Sequence, residues 1–556
     1  MNERFPTVRD FQHRQSYYLE LSAQHRVQSV IMSSKFKDPD RQEDATVDDA
    51  LTQAKFGLFN YTLIIISGTI ITAVMLECLS ISYVMTVAEC DLQLTTSQKG
   101  ILSAVVIIGI IVSSHLWGFL ADTQGRRAII VPTLILSFIS TLISSFSTTF
   151  VWMAVFRFCT GFFISGPSAS IYAYLGEFHS YNTRSRAIMG ASFVFGTGCL
   201  FMPGIAYITI NNEWELAVPF LDIIYRPWRL FFVVCALPGL VCAIALLKFP
   251  ESPKFMVGQG DTDRAVETIQ WIHRINSSKD EPALPIKSIV RNANTKSAGS
   301  TKGFKAIVKL IWDQTAPLFM KPYLVRTGLI CFIQFGTYVT AHGMFMFFPG
   351  TLNQIMIAQN LGVDSSTICD IVHADRSSIT LGNETVLLNC KQTLEETTYM
   401  YTFIADVFYM LGVGLITLII DKVGRLAVLV FIFTCSGIAG ILVVFLAMPS
   451  VTIWLYIILL LGCYNINVIN AVAVDLFPTN LRAMAVSISL MFGRIGSVFG
   501  TNMNGLLLDS HCEATFWIAS IMMLLCGVLS FFVSDIHKKT EASISVSLES
   551  VVHVEK

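Results

Sequence analysis

Apolar runs of about 20 residues recur along this chain, each bounded by a short polar or glycine-containing stretch. A run of that length crosses the ~30 Å hydrocarbon core of a bilayer as an α-helix. In lipid a spanning segment must satisfy its own backbone N–H and C=O groups, and a helix does so within itself. The pattern predicts twelve spans: 58–86, 98–120, 128–147, 150–175, 186–209, 228–248, 323–348, 399–420, 426–447, 451–474, 484–508 and 514–534. The fold class that follows is an all-α membrane protein of twelve transmembrane helices in two pseudo-symmetric six-helix bundles. Polar segments divide the chain into a tail 1–55, a bundle 56–248, a linker 249–321, a second bundle 322–534 with a large loop 349–398, and a tail 535–556.

The polar segments carry local patterns of their own. DTDRAVETIQWIHRIN in the linker places Ala265, Ile269 and Ile272 at helical spacing, which predicts an amphipathic helix. The approach to the first span, near Val47–Phe59, reads as helical, and SSITLGNETVLLNC in the large loop favours short β structure.

The pairing of the halves is written in the loop charges. GFLADTQGRR around Asp122 returns as IIDKVGRL around Asp421, 299 residues later. Glu177 and Arg184, seven apart, return as Asp475 and Arg482, also seven apart, at an offset of 298. Four charges in register over that distance imply two copies of one six-helix unit. Transporters built from repeats bind their solute at the interface of the two copies.

Lysine and arginine set the orientation, because they favour cytoplasmic loops. With the N-terminus inside, the inner loops receive Arg126, Arg127, Arg184, Arg186, Lys422, Arg425 and Arg482, and the outer loops hold little beyond Arg376 and Lys391. Both termini are then expected to be cytoplasmic, in a plasma membrane or a secretory or synaptic-type vesicle. The first 55 residues are polar, so no secretory signal peptide is expected and the first span would act as an uncleaved anchor.

Composition agrees. Of 556 residues 53% are hydrophobic and 14% charged, against about a quarter charged in soluble domains. The net charge of −1 gives no reason to expect nucleic acid as a partner. No GxxxxGK[ST], HExxH, CxxC or GxSxG pattern occurs, so neither an enzyme activity, a cofactor nor a metal is expected. Of thirteen cysteines, Cys90, Cys369, Cys390 and Cys512 fall outside the predicted spans. They allow three connectivities; Cys369 and Cys390 share one loop and are the first pairing expected, with Cys90–Cys512 open as a partner bond. Asn383-Glu-Thr385 in the same loop fits a glycosylation acceptor.

An ionisable group at the bilayer centre costs about 2.5–3.5 kcal/mol on insertion scales, so each one calls for a protein-facing role. Glu77, Arg157, Asp406 and Arg494 lie at membrane depth, one acid and one base in each half. They can line a cavity that binds solute or carries a proton, or they can tie helices together as static pairs. Gln334, His342 and Asn467, with Asn465 and Asn470, could line the same cavity or hydrogen-bond neighbouring helices. For the loop motifs, Asp122, Arg126, Arg127, Glu177, Arg184, Asp421, Arg425, Asp475 and Arg482 are expected to form a cytoplasmic gate, with Gly125 and Gly424 permitting the reversals. Ser114 with Gly118, and Gly496 with Gly500, are small residues four apart suited to close helix contact at that gate.

The chain resembles the major facilitator superfamily over roughly residues 50–535. GFLADTQGRR is similar to its loop 2–3 signature, and Arg157-Phe-Cys-Thr-Gly161-Phe to its span 4 arginine motif. Pro250-Glu-Ser-Pro-Lys254 resembles the span 6 exit of sugar porters, organic-ion transporters and synaptic-vesicle-glycoprotein-like proteins. Within the superfamily, TVDDALTQAKFGLFNYTLI and the large loop after span 7 resemble the synaptic vesicle glycoprotein two-like group. A single Gln334 and no tryptophan within Gly462–Val474 depart from the sugar-porter pattern and argue against a hexose. The resemblance implies spans 1, 4, 7 and 10 around a central cavity, with Glu77, Arg157, Gln334 and the span 10 asparagines facing it. The expected function is secondary active transport of a small polar or charged organic solute by alternating access, with a proton or another ion as a coupling partner. A non-transporting vesicle or surface protein that keeps the fold as a binding scaffold is the competing reading.

Overall fold

The computed structural model describes residues 44–554 apart from 220–222, 278–283, 285, 287, 290–311, 313–314, 363–365, 375–378, 382–383, 387–392 and 478–480. Twelve helices among the described residues are long and apolar enough to cross a membrane. They are α1 Leu58–Val87, α2 Thr96–Gln124, α3 Arg126–Ser145, α4 Phe150–Glu177, α5 Tyr181–Ile210, α6 Pro227–Leu246, α7 Leu324–Asn360, α8 Glu396–Val423, α9 Arg425–Phe445, α10 Pro449–Val474, α11 Arg482–Leu507 and α12 Cys512–Val533. The chain therefore enters α1 and leaves α12 at one end of the molecule, the basic end; the opposite end carries a disulfide.

The helix ends follow local chemistry. Thr95 opens α2 with a capping box, its hydroxyl accepting from the Gln98 amide while the Gln98 side chain accepts from the Thr95 amide. Gly125 (φ +114°) and Gly424 (φ +90°) make the abrupt α2–α3 and α8–α9 reversals in conformations that disfavour a Cβ. The same glycine turn at matched places marks the duplication. The helices inside each bundle also pack alike. A Cβ on Gly68 would lie 2.7 Å from the Ala191 carbonyl, joining α1 to α5, and one on Gly500 2.2 Å from the Val339 carbonyl, joining α7 to α11. Gly496 does the same against the Phe335 carbonyl, so the α11 small residues hold α7 within one bundle and no gate.

Three large apolar clusters divide the interior. At the disulfide end one cluster runs through both bundles, from Val84, Trp228 and Phe231 to Phe348, Tyr456 and Phe516. At the basic end there are two, one confined to the first bundle (Leu63, Ile130, Tyr174, Leu246) and one to the second (Ile330, Phe433, Ala473, Leu481). The halves are thus sealed at one end and separate at the other. Gly100 of α2 and Gly505 of α11 meet at the seal, where a Cβ on Gly505 would lie 2.8 Å from the Gly100 Cα.

The polar segments pack as their patterns predict. The amphipathic helix Thr262–Asn276 buries Ala265, Thr268, Ile269, Ile272 and His273. With helices Val47–Gln53 and Pro253–Gln259 it extends the first bundle's basic-end cluster, so this part of the linker rides on the first bundle. The large loop contains an antiparallel pair, Ile379–Leu381 with Glu384–Val386. Asn383 and Cys390 lie outside the described residues.

Cys369 bonds to Cys512 and not to Cys390, a correction to the loop-sharing argument. Helix Ile368–Ala374 folds back and buries Ile368, Cys369, Ile371 and Val372 in the disulfide-end cluster, and this sets Cys369 beside the first residue of α12. Proximity in the loop sequence lost to burial of an apolar helix face. Peptide mapping without reduction should recover Cys369 joined to Cys512, and Cys512→Ser should free Cys369 for alkylation in the denatured chain.

At the basic end, His179 lies between α4 and α5. Its Nδ1–H donates to the Leu175 carbonyl (2.7 Å), which leaves Nε2 to accept from the Asn60 amide (3.1 Å). Asn60 Oδ1 in turn accepts from the Gly57 amide (3.1 Å) and from Asn276 (3.0 Å). Burial, with a smaller push from Lys254, holds the imidazole below its usual pKa, against the opposing pull of the Leu175 carbonyl. The folded state therefore refuses a proton that the unfolded chain accepts, so this contribution is intact above about pH 6.5 and lost as the pH falls below it. Hydrogen exchange at the start of α1 and in helix Thr262–Asn276 should rise as pH falls from 7 to 5, and His179→Asn should flatten that dependence.

Candidate functional site: the charges between and within the bundles

Each buried charge has a different setting. Glu77 on α1 and Arg157 on α4 are 2% and 0% exposed and form an ion pair at 3.0 Å. The Glu77 carboxylate also accepts from the Thr141 hydroxyl on α3 (2.8 and 2.9 Å). Arg157 Nη1 reaches the Glu77 carbonyl (3.3 Å), and the guanidinium lies over the Phe232 ring of α6 at 4.2 Å. Four helices of the first bundle meet on this pair. The resemblance places Glu77 and Arg157 on the cavity wall; here they are enclosed within the bundle. Gln334 on α7 is likewise fully buried, with neither amide atom hydrogen-bonded among the described residues. The half-buried His342 has a buried Nδ1 without a partner.

Asp406 and Arg494 are placed differently. Arg494 on α11 donates to the Ser114 hydroxyl on α2, across to the other bundle, at 3.0 Å. Asp406 on α8 is within electrostatic reach of Tyr83 on α1 and Cys199 on α5, both in the opposite bundle. Among the described residues neither charge has an ion-pair partner. Tyr338 on α7 is within reach of both Arg494 and Tyr409, and Tyr409 of Asn467 on α10, whose side chain is exposed. These residues form a loose polar group where the two bundles face each other. Ser114, expected as a small packing residue, is its cross-bundle hydrogen-bond partner. The aromatic residues Tyr338 and Tyr409 were missed because a tyrosine in an apolar run reads as packing.

The loop motif of the first half is a set of reciprocal helix caps. Arg126 pairs with Asp122 and with Glu177 (3.2 Å), tying the α2–α3 turn to the end of α4. Glu251, just past α6, accepts from the backbone amides of Arg126 (2.9 Å), Arg127 (3.1 Å) and Ala128 (3.2 Å) at the start of α3. In return Arg127 donates to the Leu246 (2.9 Å) and Leu247 (2.8 Å) carbonyls at the end of α6. Sequence reasoning quoted Glu251 within Pro250-Glu-Ser-Pro-Lys254 but gave it no role; a carboxylate following a helix that packs on α3 is the signal. Glu177 bonds Arg126, while Arg184 is exposed beside Gly176. In the second half Arg425 donates to the Ala471 carbonyl of α10 (3.3 Å); the side chains of Asp421 and Asp475 lie outside the described ones, and Arg482 is half-buried at the start of α11.

Removing one partner of an enclosed ion pair leaves the other charge uncompensated. Glu77→Gln should cost about 3–5 kcal/mol of stability. A thermal melt should show a large loss for Glu77→Gln and partial recovery when Arg157→Leu is added.

Comparison with known proteins fits this geometry. The profile of the family described as "Sugar (and other) transporter" matches residues 51–374, and that of the "Major Facilitator Superfamily" residues 335–552. The chain is 26% identical to human synaptic vesicle glycoprotein 2B over 58% of this chain and 50% of that protein, so it spans about half the length of that relative. It is 24% identical to the synaptic vesicle 2-related protein of Xenopus laevis over 92% of this chain and 85% of that one. In fold it is similar to the inward open conformation of the E. coli xylose transporter XylE, with a TM-score of 0.58 at 16% identity, covering 85% and 95% of the two chains. A bacterial homolog of the human lysosomal transporter Spinster, inward-facing and unoccupied, matches with a TM-score of 0.54 at 12% identity over 86% and 96%. The chain belongs to the sugar (and other) transporter family of the major facilitator superfamily.

Proposed function

We propose that the protein is a secondary active transporter that moves a small charged organic solute by alternating access, with Asp406 and Arg494 as its solute-facing charges. One observation carries this reading: Arg494 donates to Ser114 of the opposite bundle, Asp406 lies within electrostatic reach of that bundle, and neither has an ion-pair partner among the described residues. A guanidinium and a carboxylate held at membrane depth without a counter-charge are costly, and a solute that supplies one repays that cost on binding. Asn467, Tyr338 and Tyr409 add neutral polar contacts. A hexose would leave both charges unmatched, which supports a charged solute despite the family's sugar-transporting members.

The apolar cluster shared at one end, with separate clusters at the other, supports a rocking cycle in which the seal breaks and the basic ends close. In that cycle Glu77–Arg157 and the Arg127–Glu251 caps keep the first bundle rigid, and Gly125 and Gly424 hold the turns that come together. With Lys and Arg concentrated at the basic end, that end is cytoplasmic and both termini lie inside. The likeness to vesicle glycoproteins supports a vesicle membrane as its residence. A proton is the simplest coupling ion, with Asp406 its carrier.

A screen of amino acids and other zwitterionic or anionic metabolites by thermal shift should find a ligand, since one at 100 times its Kd adds about 2.7 kcal/mol of stability. Uptake of that ligand into proteoliposomes should fall at least about tenfold in Arg494→Gln, the loss of a charge-assisted hydrogen bond worth about 1.5–3 kcal/mol. Asp406→Asn should abolish any proton dependence of uptake. Full uptake in both variants would remove the assignment.

A further inference from the structure

A cavity lies where α5 of one bundle meets α8 of the other near the disulfide end. It is an open groove of about 460 Å³, lined by Pro203, Gly204 and Tyr207 from α5 and by Tyr399 and the exposed Glu396, Thr397, Met400 and Phe403 from α8. The spacing explains why one face of each helix contributes: 203, 204 and 207 on α5, and 396, 400 and 403 on α8, follow helical periodicity. The volume is within the range of small-molecule sites, about 300–1,000 Å³.

Its chemistry is selective. Tyr207 and Tyr399 stand edge to face with centroids 5.5 Å apart. The Tyr207 hydroxyl donates to the Glu396 carboxylate at 3.4 Å, so carboxylate and rings converge on one point. Glu396 has no ion-pair partner among the described residues. A carboxylate beside aromatic faces attracts an organic ammonium group, through Coulomb attraction and through the negative faces of the rings. Met400 and Phe403 continue the wall with apolar surface, half-exposed at the rim, and this suits a hydrophobic body behind the charge. Gly204 keeps the space open: a Cβ built there meets nothing within 4 Å.

We propose that this α5–α8 cavity binds an alkylammonium group, carried either by a phospholipid headgroup or by a free amphiphilic cation. Its two walls belong to different bundles, so an occupant bridges them and favours the arrangement sealed at the disulfide end.

The test uses the full-length protein in phosphatidylglycerol nanodiscs titrated with octyltrimethylammonium. The expected result is a saturable rise in melting temperature that octyl glucoside, with the same tail and no charge, does not give. Glu396→Gln should weaken the apparent affinity at least tenfold. Gly204→Leu, which fills the void with a helix-favouring side chain, should abolish the shift. Glu396→Gln keeps the proposal testable if Gly204→Leu fails to fold. Wild-type titrations in both variants, or an equal shift from octyl glucoside, would overturn it. Native mass spectrometry after reconstitution in mixed phosphatidylcholine and phosphatidylglycerol separates the two sources. Retained phosphatidylcholine that Gly204→Leu loses assigns the site to a lipid headgroup; no retained lipid, with the octyltrimethylammonium shift intact, assigns it to a free cation.

Discussion

The contact on which this architecture depends is the close approach of α2 and α11 at the disulfide end, where Gly100 and Gly505 bring two backbones together. Lipid is as apolar as a leucine-rich helix face, so burying apolar surface gives two helices little reason to associate in a bilayer. Close van der Waals packing replaces that drive, and only glycine permits this separation. Around the contact, side chains of both bundles merge into a single cluster, Tyr83 stacking on Tyr399 at 6.3 Å among them. Beyond this packing the apolar clusters of the two bundles are separate.

Inside a bundle the logic is different. Glycine contacts between α1 and α5, and between α7 and α11, set helix spacing, and polar groups fix what spacing leaves free. Glu77, Arg157 and Thr141 form a buried polar knot over three helices, with Phe232 of a fourth against the guanidinium. Its value is specificity more than raw stability, because desolvating both ions offsets much of their attraction. The Arg127–Glu251 exchange serves the same end at the surface: Arg127 caps the end of the helix that Glu251 follows, and Glu251 caps the start of the helix that Arg127 opens. Rigid bundles joined by one breakable seam are what a two-state motion needs.

Much of this was legible in the sequence. Span positions follow from hydropathy because lipid allows few alternatives, and the duplication follows from charges that must sit at matched turns. The amphipathic helix at 262–276 was readable from Ala265, Ile269 and Ile272 because its buried stripe is local. The site was less legible. Whether Glu77 faces solute or Arg157 depends on rotations of α1 and α4 that the sequence of either helix leaves open, and both readings suit an acid at membrane depth. Cys369 and Cys512 are 143 residues apart, and their pairing depends on how helix Ile368–Ala374 folds back. Arg494 and Ser114 show the same limit, since a bond between bundles is set by their docking.

The small helices at the basic end have a mechanical consequence. Among the described residues, Val47–Gln53, Pro253–Gln259 and Thr262–Asn276 are rooted in the first bundle, through the Asn276–Asn60 bond and the shared apolar cluster, while Lys254–Asp48 ties two of them together. Anything that clamps this platform grips the first bundle directly and reaches the second only through the packing at the disulfide end.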